Sequence, residues 1–242
     1  MKKRGKKGQV TIFIIVAIFI VAGGILFFVL RGDTDSAKIP SEVAPIKNFV
    51  DECIKTETEK AVYLIGQGGG YFFPPVLSTE GGYTYYFYDG KNYFPSEIKI
   101  KDQLSSAIES NINLCVGNFD NFQKNNIKKG EVQVETELLE DKVVFDVIFP
   151  LKVYYEEDST ILRDFGTYEI PVKLGLIHSL ISQLIKDGYY TEDSLCIDCF
   201  TQAVYENNLD VGFLDAGKDN SIFVIEDYNE KENKTFEYIF AV

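Results

Sequence analysis

The most constraining feature of the sequence is a stretch of 21 residues, Val10 to Leu30, that contains no charged side chain. At about 1.5 Å of rise per helical residue, this stretch is long enough to cross the roughly 30 Å hydrocarbon core of a bilayer. The apolar region of a cleaved signal peptide is shorter, about 7 to 15 residues, and ends at a small-residue cleavage site, which Phe27, Phe28, Val29 and Leu30 do not provide. The sequence therefore predicts a retained transmembrane helix over residues 10–30.

The charges on either side of this stretch predict its orientation. Five cations precede it: Lys2, Lys3, Arg4, Lys6 and Lys7. Only Arg31 follows it closely, before Asp33 and Asp35. By the positive-inside rule, residues 1–9 are expected in the cytoplasm and the C-terminal part outside it. Residues 31–41 form an expected polar linker, and residues 42–242 an extracytoplasmic domain of a single-pass protein of the cell membrane.

The composition of this outer part excludes one class of partner. The chain has 24 Lys and Arg against 37 Asp and Glu, so that 19 cations remain once the five N-terminal ones are set aside. The resulting net charge of about −18 repels phosphates, and we expect no nucleic-acid binding. Hydrophobic residues make up 45 % of the chain and aromatic residues 14 %. This content indicates one packed domain of about 200 residues and argues against a disordered acidic tail.

The start of the chain resembles a known kind of signal. Lys6-Lys7-Gly8-Gln9 runs directly into Val10-Thr11-Ile12-Phe13. Residues 2–30 thereby resemble the class III (prepilin-type) signals of archaeal pilins and related surface proteins. They also resemble the Gly-Gln-Val-Thr starts of membrane-anchored proteins of small-genome archaea. The resemblance implies cleavage between Gly8 and Gln9 and self-association in a filament, although Phe13 stands where many pilins carry Glu.

Four cysteines, an even number, are expected outside the membrane, where disulfides persist. Cys53 and Cys115 both fall on apolar faces of predicted helices, which favours a bond between them. Cys196 and Cys199 then remain as a local pair close enough in sequence to bridge, for which we predict a structural disulfide, with a redox pair and half a zinc site as alternatives.

Hydrophobic periodicity predicts an α+β domain with three main helices and antiparallel meanders. The helices are expected to begin near Pro45, after Ser96 and near Leu176. The run Gly66 to Gly70 reads as the end of the first helix, because a phosphate-binding glycine loop has to follow a strand. Period-two stretches predict strands over 132–138, 145–153 and 168–174, and a second meander over 209–214, 221–227 and 235–242.

An aromatic segment provides the candidate binding face. Residues 71–94 include ten aromatic side chains, and Asp89-Gly90 predicts a hairpin turn within them. Both faces of the first strand are aromatic, whereas a sheet that is covered on one side needs only one such face. The second set is therefore a candidate for exposure to a cell-surface glycan or a protein. The residues of this candidate face are Tyr83, Tyr85, Tyr86, Phe87, Tyr88 and Tyr93. Packing of these rings beneath a loop is the alternative that we favour.

Other chemical motifs are weak. His178 is the single histidine, lies at the edge of an apolar stripe and has no nucleophile elbow to serve. Asp215, Asp219 and Glu226 fit three positions of a calcium loop, but Asn220 replaces its required glycine. We therefore expect no cofactor and no metal site. Asn233-Lys234-Thr235 is a glycosylation sequon at a predicted hairpin tip.

These observations predict a non-enzymatic, membrane-anchored binding or structural domain. Two alternatives stay open. One is a pilin-like filament subunit processed after Gly8, and the other is a surface hydrolase that uses two of the many carboxylates.

Overall fold

A computed structural model describes residues 39–75, 78–79, 81–191, 194–215 and 221–242. The chain divides into two units, residues 1–44 and 45–242, and only residues 39–44 of the first are described. The expected membrane span over 10–30, the junction of Gly8 with Gln9 and most of the linker lie outside the described residues. Within the described ranges, no helix has both the length and the apolar character needed to cross a bilayer.

The described part is an α+β structure with four α-helices. They are α1 (Ala44–Gln67), α2 (Glu97–Val116), α3 (Leu174–Lys186) and α4 (Ile197–Glu206). A short 3₁₀ helix covers Asp120–Phe122. The first three α-helices are those expected from the sequence, and the Ser96 hydroxyl caps α2 by accepting from the Lys99 N–H at 3.2 Å. The prediction of only three main helices was wrong, since the structure has α4 as a fourth. This helix places only two fully buried apolar side chains in the core, Phe200 and Val204, so its hydrophobic pattern in the sequence is weak.

The strands form antiparallel sheets. They are β1 (Phe87–Tyr88), β2 (Lys91–Asn92), β3 (Asn126–Lys129), β4 (Gln133–Leu138), β5 (Val143–Tyr155), β6 (Asp158–Ile170), β7 (Asp210–Asp215), β8 (Ser221–Asn229) and β9 (Lys234–Ala241). β5 is the centre of one sheet: β3 and β4 pair along one of its edges and β6 along the other. A second sheet has the order β7-β8-β9, and β1 with β2 makes a two-residue hairpin.

Alternation of buried and exposed side chains fixes how the large sheet faces the core. Along β5, every second side chain is fully or almost fully buried, in the order Val143, Phe145, Val147, Phe149, Leu151, Val153. The register with β6 shifts between Ile148 and Leu151, around Pro150, whose ring nitrogen has no proton to donate to a ladder.

The third strand predicted from the sequence, over residues 168–174, was misplaced at its C-terminal end. Strand β6 stops at Ile170, and Leu174 already begins α3.

Helix α1 is attached to elements from across the domain. Its Asp51 carboxylate accepts from the Tyr168 hydroxyl of β6 at 3.0 Å, and Cys53 forms a disulfide with Cys115 of α2. At its end, Gly66 lies so close to β9 that an added Cβ would lie 2.6 Å from the Phe236 ring. Helix α1 therefore contacts both sheets and is covalently linked to α2.

The segment before the hairpin extends the second sheet. The Ala241 N–H donates to Thr84 O at 2.8 Å and the Tyr86 N–H donates to Ala241 O at 3.2 Å, so that Tyr85 makes a parallel bridge with Ala241. Strand β9 is thus bonded to β8 on one edge and, at its C-terminal end, to the aromatic segment on the other.

Candidate functional site

A groove of about 860 Å³ runs between α1, α2 and the loop that joins α1 to the hairpin. One helical stripe of α2 forms its floor: Lys99, Asp102, Gln103, Ser106, Ala107, Ser110 and Asn111. The opposite wall is built from Leu64 and Gln67 of α1 and from Gly68, which follows the helix. Tyr71, Phe72, Phe73 and Pro74 close one side. From Lys99 to Asn111 the floor is about 18 Å long at the rise of an α-helix.

Gln103 holds the aromatic loop in place. Its Nε2 donates to Gly70 O at 3.0 Å, and its Oε1 accepts from the Phe72 N–H at 3.4 Å. The Tyr71 hydroxyl also donates to Tyr93 O at 2.8 Å, which ties the same loop to the hairpin. The backbone that carries Phe72 and Phe73 is therefore fixed on both sides, while the Phe73 side chain itself is 86 % exposed.

The groove combines two kinds of surface. Aromatic rings supply apolar area at one side and Leu64 supplies it on the α1 wall, while amide and hydroxyl groups line the floor. Its two charged residues, Lys99 and Asp102, are of opposite sign, so the groove has no net charge although the protein carries −13. Concave sites of this kind, with apolar walls and a few convergent polar groups, are typical of ligand binding.

The six aromatic residues of the candidate binding face do not share one exposed surface. Tyr86 is fully buried, which agrees with packing and removes it from the candidate binding face. Tyr83 and Tyr85 are partly buried and pack against the small apolar cluster of Ile222, Ile239 and Ala241. Phe87 and Tyr93 are also partly buried. Only Tyr88, with 43 % of its surface accessible, ranks among the exposed large side chains.

Tyr86 instead belongs to a buried aromatic cluster. Its ring stacks on Phe240 at a centroid distance of 4.5 Å, and its hydroxyl lies 2.7 Å from the Tyr238 hydroxyl and 2.9 Å from Gly69 O. Burial, and to a smaller extent the neighbouring Tyr238, raises the pKa of Tyr86 well above its usual value. The phenols therefore stay protonated and act as hydrogen-bond donors.

Both disulfides expected from the sequence are present, Cys53 with Cys115 and Cys196 with Cys199. The first closes 62 residues, and a loop of that length stabilises the fold by about 4 kcal/mol in the chain-entropy model. Cys115 is exposed rather than on the buried face of α2, whereas Cys53 is buried. The second disulfide closes only three residues and contributes about 2 kcal/mol in the same model.

His178 sits in a packed setting on α3. Its Nε2 lies 2.8 Å from Pro95 O, and because a carbonyl can only accept, Nε2 carries the proton. The ring also stacks on Phe94 at a centroid distance of 4.7 Å. Burial lowers the pKa of His178, more than the bond to Pro95 raises it. His178 thus links α3 to the loop that precedes α2.

A second cleft, of about 500 Å³, collects the carboxylates that a hydrolase would need. Glu59, Glu169 and Glu232 line it. Glu59 is paired with Lys234, and Glu169 is paired with Lys142 at 2.8 Å. These two carboxylates therefore face cations and not an open catalytic position.

Metal and modification motifs have the following places in the fold. Among the described residues, no group of three or more His, Cys, Asp or Glu could hold a metal ion. Asp219 and Asn220 of the calcium-like motif lie outside the described residues, and Glu226 lies within β8, opposite Asp210. Asn233 of the sequon lies in the exposed turn between β8 and β9, where its Oδ1 accepts from the Tyr228 hydroxyl at 2.9 Å.

The groove floor is what sequence reasoning missed. Ser106, Ser110 and Asn111 look like the ordinary solvated face of an amphipathic helix, because nothing in the α2 sequence indicates that α1 and the loop rise beside them. The one available signal was the aromatic run beginning at Tyr71, whose Phe72 and Phe73 form the wall.

The chain matches no protein-family model, no curated protein and no solved structure.

Proposed function

We propose that this protein is a membrane-anchored, extracytoplasmic binding domain whose groove between α1 and α2 holds an uncharged carbohydrate chain. The observation that carries the proposal is the pairing of an aromatic wall with a floor of amide and hydroxyl groups. Sugar rings offer apolar C–H faces that pack on aromatic rings, and hydroxyls at their edges that bond to Gln, Asn and Ser. The floor of about 18 Å suits an oligomer.

A protein ligand fits this floor less well. Protein–protein interfaces are depleted in Lys, Asp, Ser and Ala, and five of the seven floor residues are of these types: Lys99, Asp102, Ser106, Ala107 and Ser110. The groove also offers its large rings at one side only, whereas protein hot spots place them near the centre of an interface.

The anchor and the compartment belong to the same proposal. Residues 10–30 cross the membrane with the N-terminal cations inside, which places the groove at the cell surface. The two disulfides support an oxidising environment for the domain. Protease added to intact cells should then degrade residues 32–242, and full protection would refute this topology. N-terminal sequencing of the mature protein shows whether it begins at Gln9, as a processed filament subunit would.

Ligand binding can be tested on the full chain in lipid nanodiscs by calorimetry with neutral oligosaccharides. Phe73→Ala removes an exposed ring, and Ser106→Leu fills the floor, so each should weaken binding at least tenfold. Tyr205→Ala and Asn113→Leu make comparable exposed changes outside the groove and should leave binding unchanged. Absence of oligosaccharide binding, wild-type affinity in both groove variants, or capture of a peptide in the same groove would overturn the proposal.

A further inference from the structure

The Cys196–Cys199 disulfide occupies a position that changes its chemistry. Cys196 is the N-cap residue of α4, a helix of ten residues, and its Sγ accepts from the Cys199 N–H at 3.3 Å. Free N–H groups and the helix dipole at this end stabilise negative charge, so a Cys196 thiolate released by reduction is favoured. A disulfide whose reduced form is stabilised is a stronger oxidant.

The second sulfur faces a groove of its own. Cys199 lines a depression of about 420 Å³ between α3 and α4, together with Leu180, Leu184 and Tyr189. Both cysteines are partly exposed. Every charged residue of this lining is acidic: Asp187, Asp198 and Glu206. A partner that approaches Cys199 along this surface therefore passes three carboxylates and no cation of the lining.

We propose that Cys196–Cys199 is a thiol–disulfide exchange centre that oxidises a dithiol carried on a positively charged peptide segment of another protein. This activity is independent of carbohydrate binding, because α4 and its groove share no residue with the groove between α1 and α2. The acidic lining favours a positively charged partner, and the N-terminus of α4 favours Cys196 as the sulfur that leaves.

The exchange proceeds in two balanced steps. A partner thiolate attacks Cys199 Sγ, the Cys196–Cys199 bond breaks, and Cys196 leaves as a thiolate that the helix N-terminus stabilises. A second partner thiolate then attacks the partner sulfur of the mixed disulfide, and Cys199 leaves. The two thiolates of the domain take up the two protons that the partner thiols lost to solvent. The partner gains one disulfide, the domain gains two thiols, and two electrons have moved.

The assignment of leaving and attacked sulfurs can be tested on single variants of the full chain. Cys199→Ser leaves Cys196 as the free thiol, and Cys196→Ser leaves Cys199 while retaining a good N-cap side chain. The rate of alkylation by iodoacetamide, measured against pH, gives a midpoint for each thiol. The midpoint for Cys196 should lie below the ordinary thiol pKa of about 8.5, and the midpoint for Cys199 should be higher than that for Cys196. Equal midpoints, or a lower one for Cys199, would overturn the assignment.

Charge selection can be tested with small thiols at low salt on the wild-type chain. Reduction of Cys196–Cys199, followed by alkylation and mass spectrometry, should be severalfold faster with cationic cysteamine than with anionic mercaptoacetate at equal thiolate concentration. Asp198→Asn should shrink this ratio, and 1 M salt should nearly abolish it. A basic peptide whose single cysteine is activated as a mixed disulfide with thionitrobenzoate should exchange with the Cys199 thiolate of Cys196→Ser, releasing thionitrobenzoate and leaving a trapped peptide–Cys199 disulfide, faster than an acidic peptide activated in the same way. Failure to trap it, or no preference for the cationic thiol, would contradict the proposal.

Discussion

The hydroxyl of Tyr86 lies 2.7 Å from the hydroxyl of Tyr238, across 152 residues of chain. Because Gly69 O at 2.9 Å can only accept, Tyr86 donates its single proton there and Tyr238 supplies the proton shared by the two phenols. This chain of donors connects the aromatic segment, the glycine turn after α1 and strand β9. It fixes the start of the loop that carries the groove wall.

Replacing Tyr86 by Phe should destabilise the fold by about 2 kcal/mol, because it leaves the Tyr238 hydroxyl and Gly69 O buried without this partner. Urea unfolding followed by circular dichroism measures the effect. Tyr88→Phe makes the same chemical change on an exposed side chain and should alter stability by less than about 0.5 kcal/mol. Equal losses in the two variants would contradict the role of the buried pair.

Asp227 on β8 anchors the start of α3. Its buried carboxylate accepts from the Lys173 N–H at 2.8 Å and lies 3.5 Å from the Lys173 ammonium. Asp227→Asn should cost about 1–3 kcal/mol in unfolding free energy, since a charge-assisted bond to the helix start is lost. Glu169→Gln breaks the exposed pair with Lys142 and should cost less than about 1 kcal/mol.

The lowered pKa of His178 predicts a loss of stability in weak acid. The unfolded chain binds a proton near pH 6.5 while the folded protein resists it, so the unfolding free energy falls as pH drops below about 6.5. Glu97, which favours the charged ring, and Lys186, which opposes it, are the ionisable groups that act on it. Urea unfolding at pH 7.5 and pH 5.5 should show a smaller decrease for His178→Gln than for wild type. An unchanged decrease would exclude His178 as its source.

Removing the disulfide of α1 and α2 should cost about 4 kcal/mol in the chain-entropy model, which is measured best on the double variant Cys53→Ala and Cys115→Ala. The double variant Cys196→Ser and Cys199→Ser should lose only about half as much, because its loop is short. A larger loss for the second pair would mean that it is the main structural staple.

The sequence predicted those features that local chemistry determines. The alternation from Phe145 to Val153 placed a half-buried strand correctly, and Ser96 marked the beginning of α2. Asp89 and Gly90 both adopt positive φ, as a two-residue hairpin turn requires. The paired cysteines were also predicted correctly.

Features that depend on distant contacts were not predictable in the same way. Tyr86 looks like its neighbours Tyr85 and Tyr88 in sequence, and only the approach of Phe240 and Tyr238 from the other end of the chain makes it a core residue. The groove depends likewise on Gln103 holding a loop 31 residues away in sequence. Helix α4 is short, and its periodicity was too brief to distinguish it from a loop.

The bond between Cys53 and Cys115 also determines how the chain would carry mechanical load. A pull entering at the N-terminal end of α1 reaches Cys53 after less than three helical turns and then crosses to Cys115, so the 62 residues of separation between them carry no tension. At roughly 3.4 Å per extended residue, the disulfide prevents the chain from lengthening by a distance on the order of 200 Å. Load that passes from α1 to the C-terminal sheet would therefore bypass residues 54–114, the segment that builds the groove between α1 and α2.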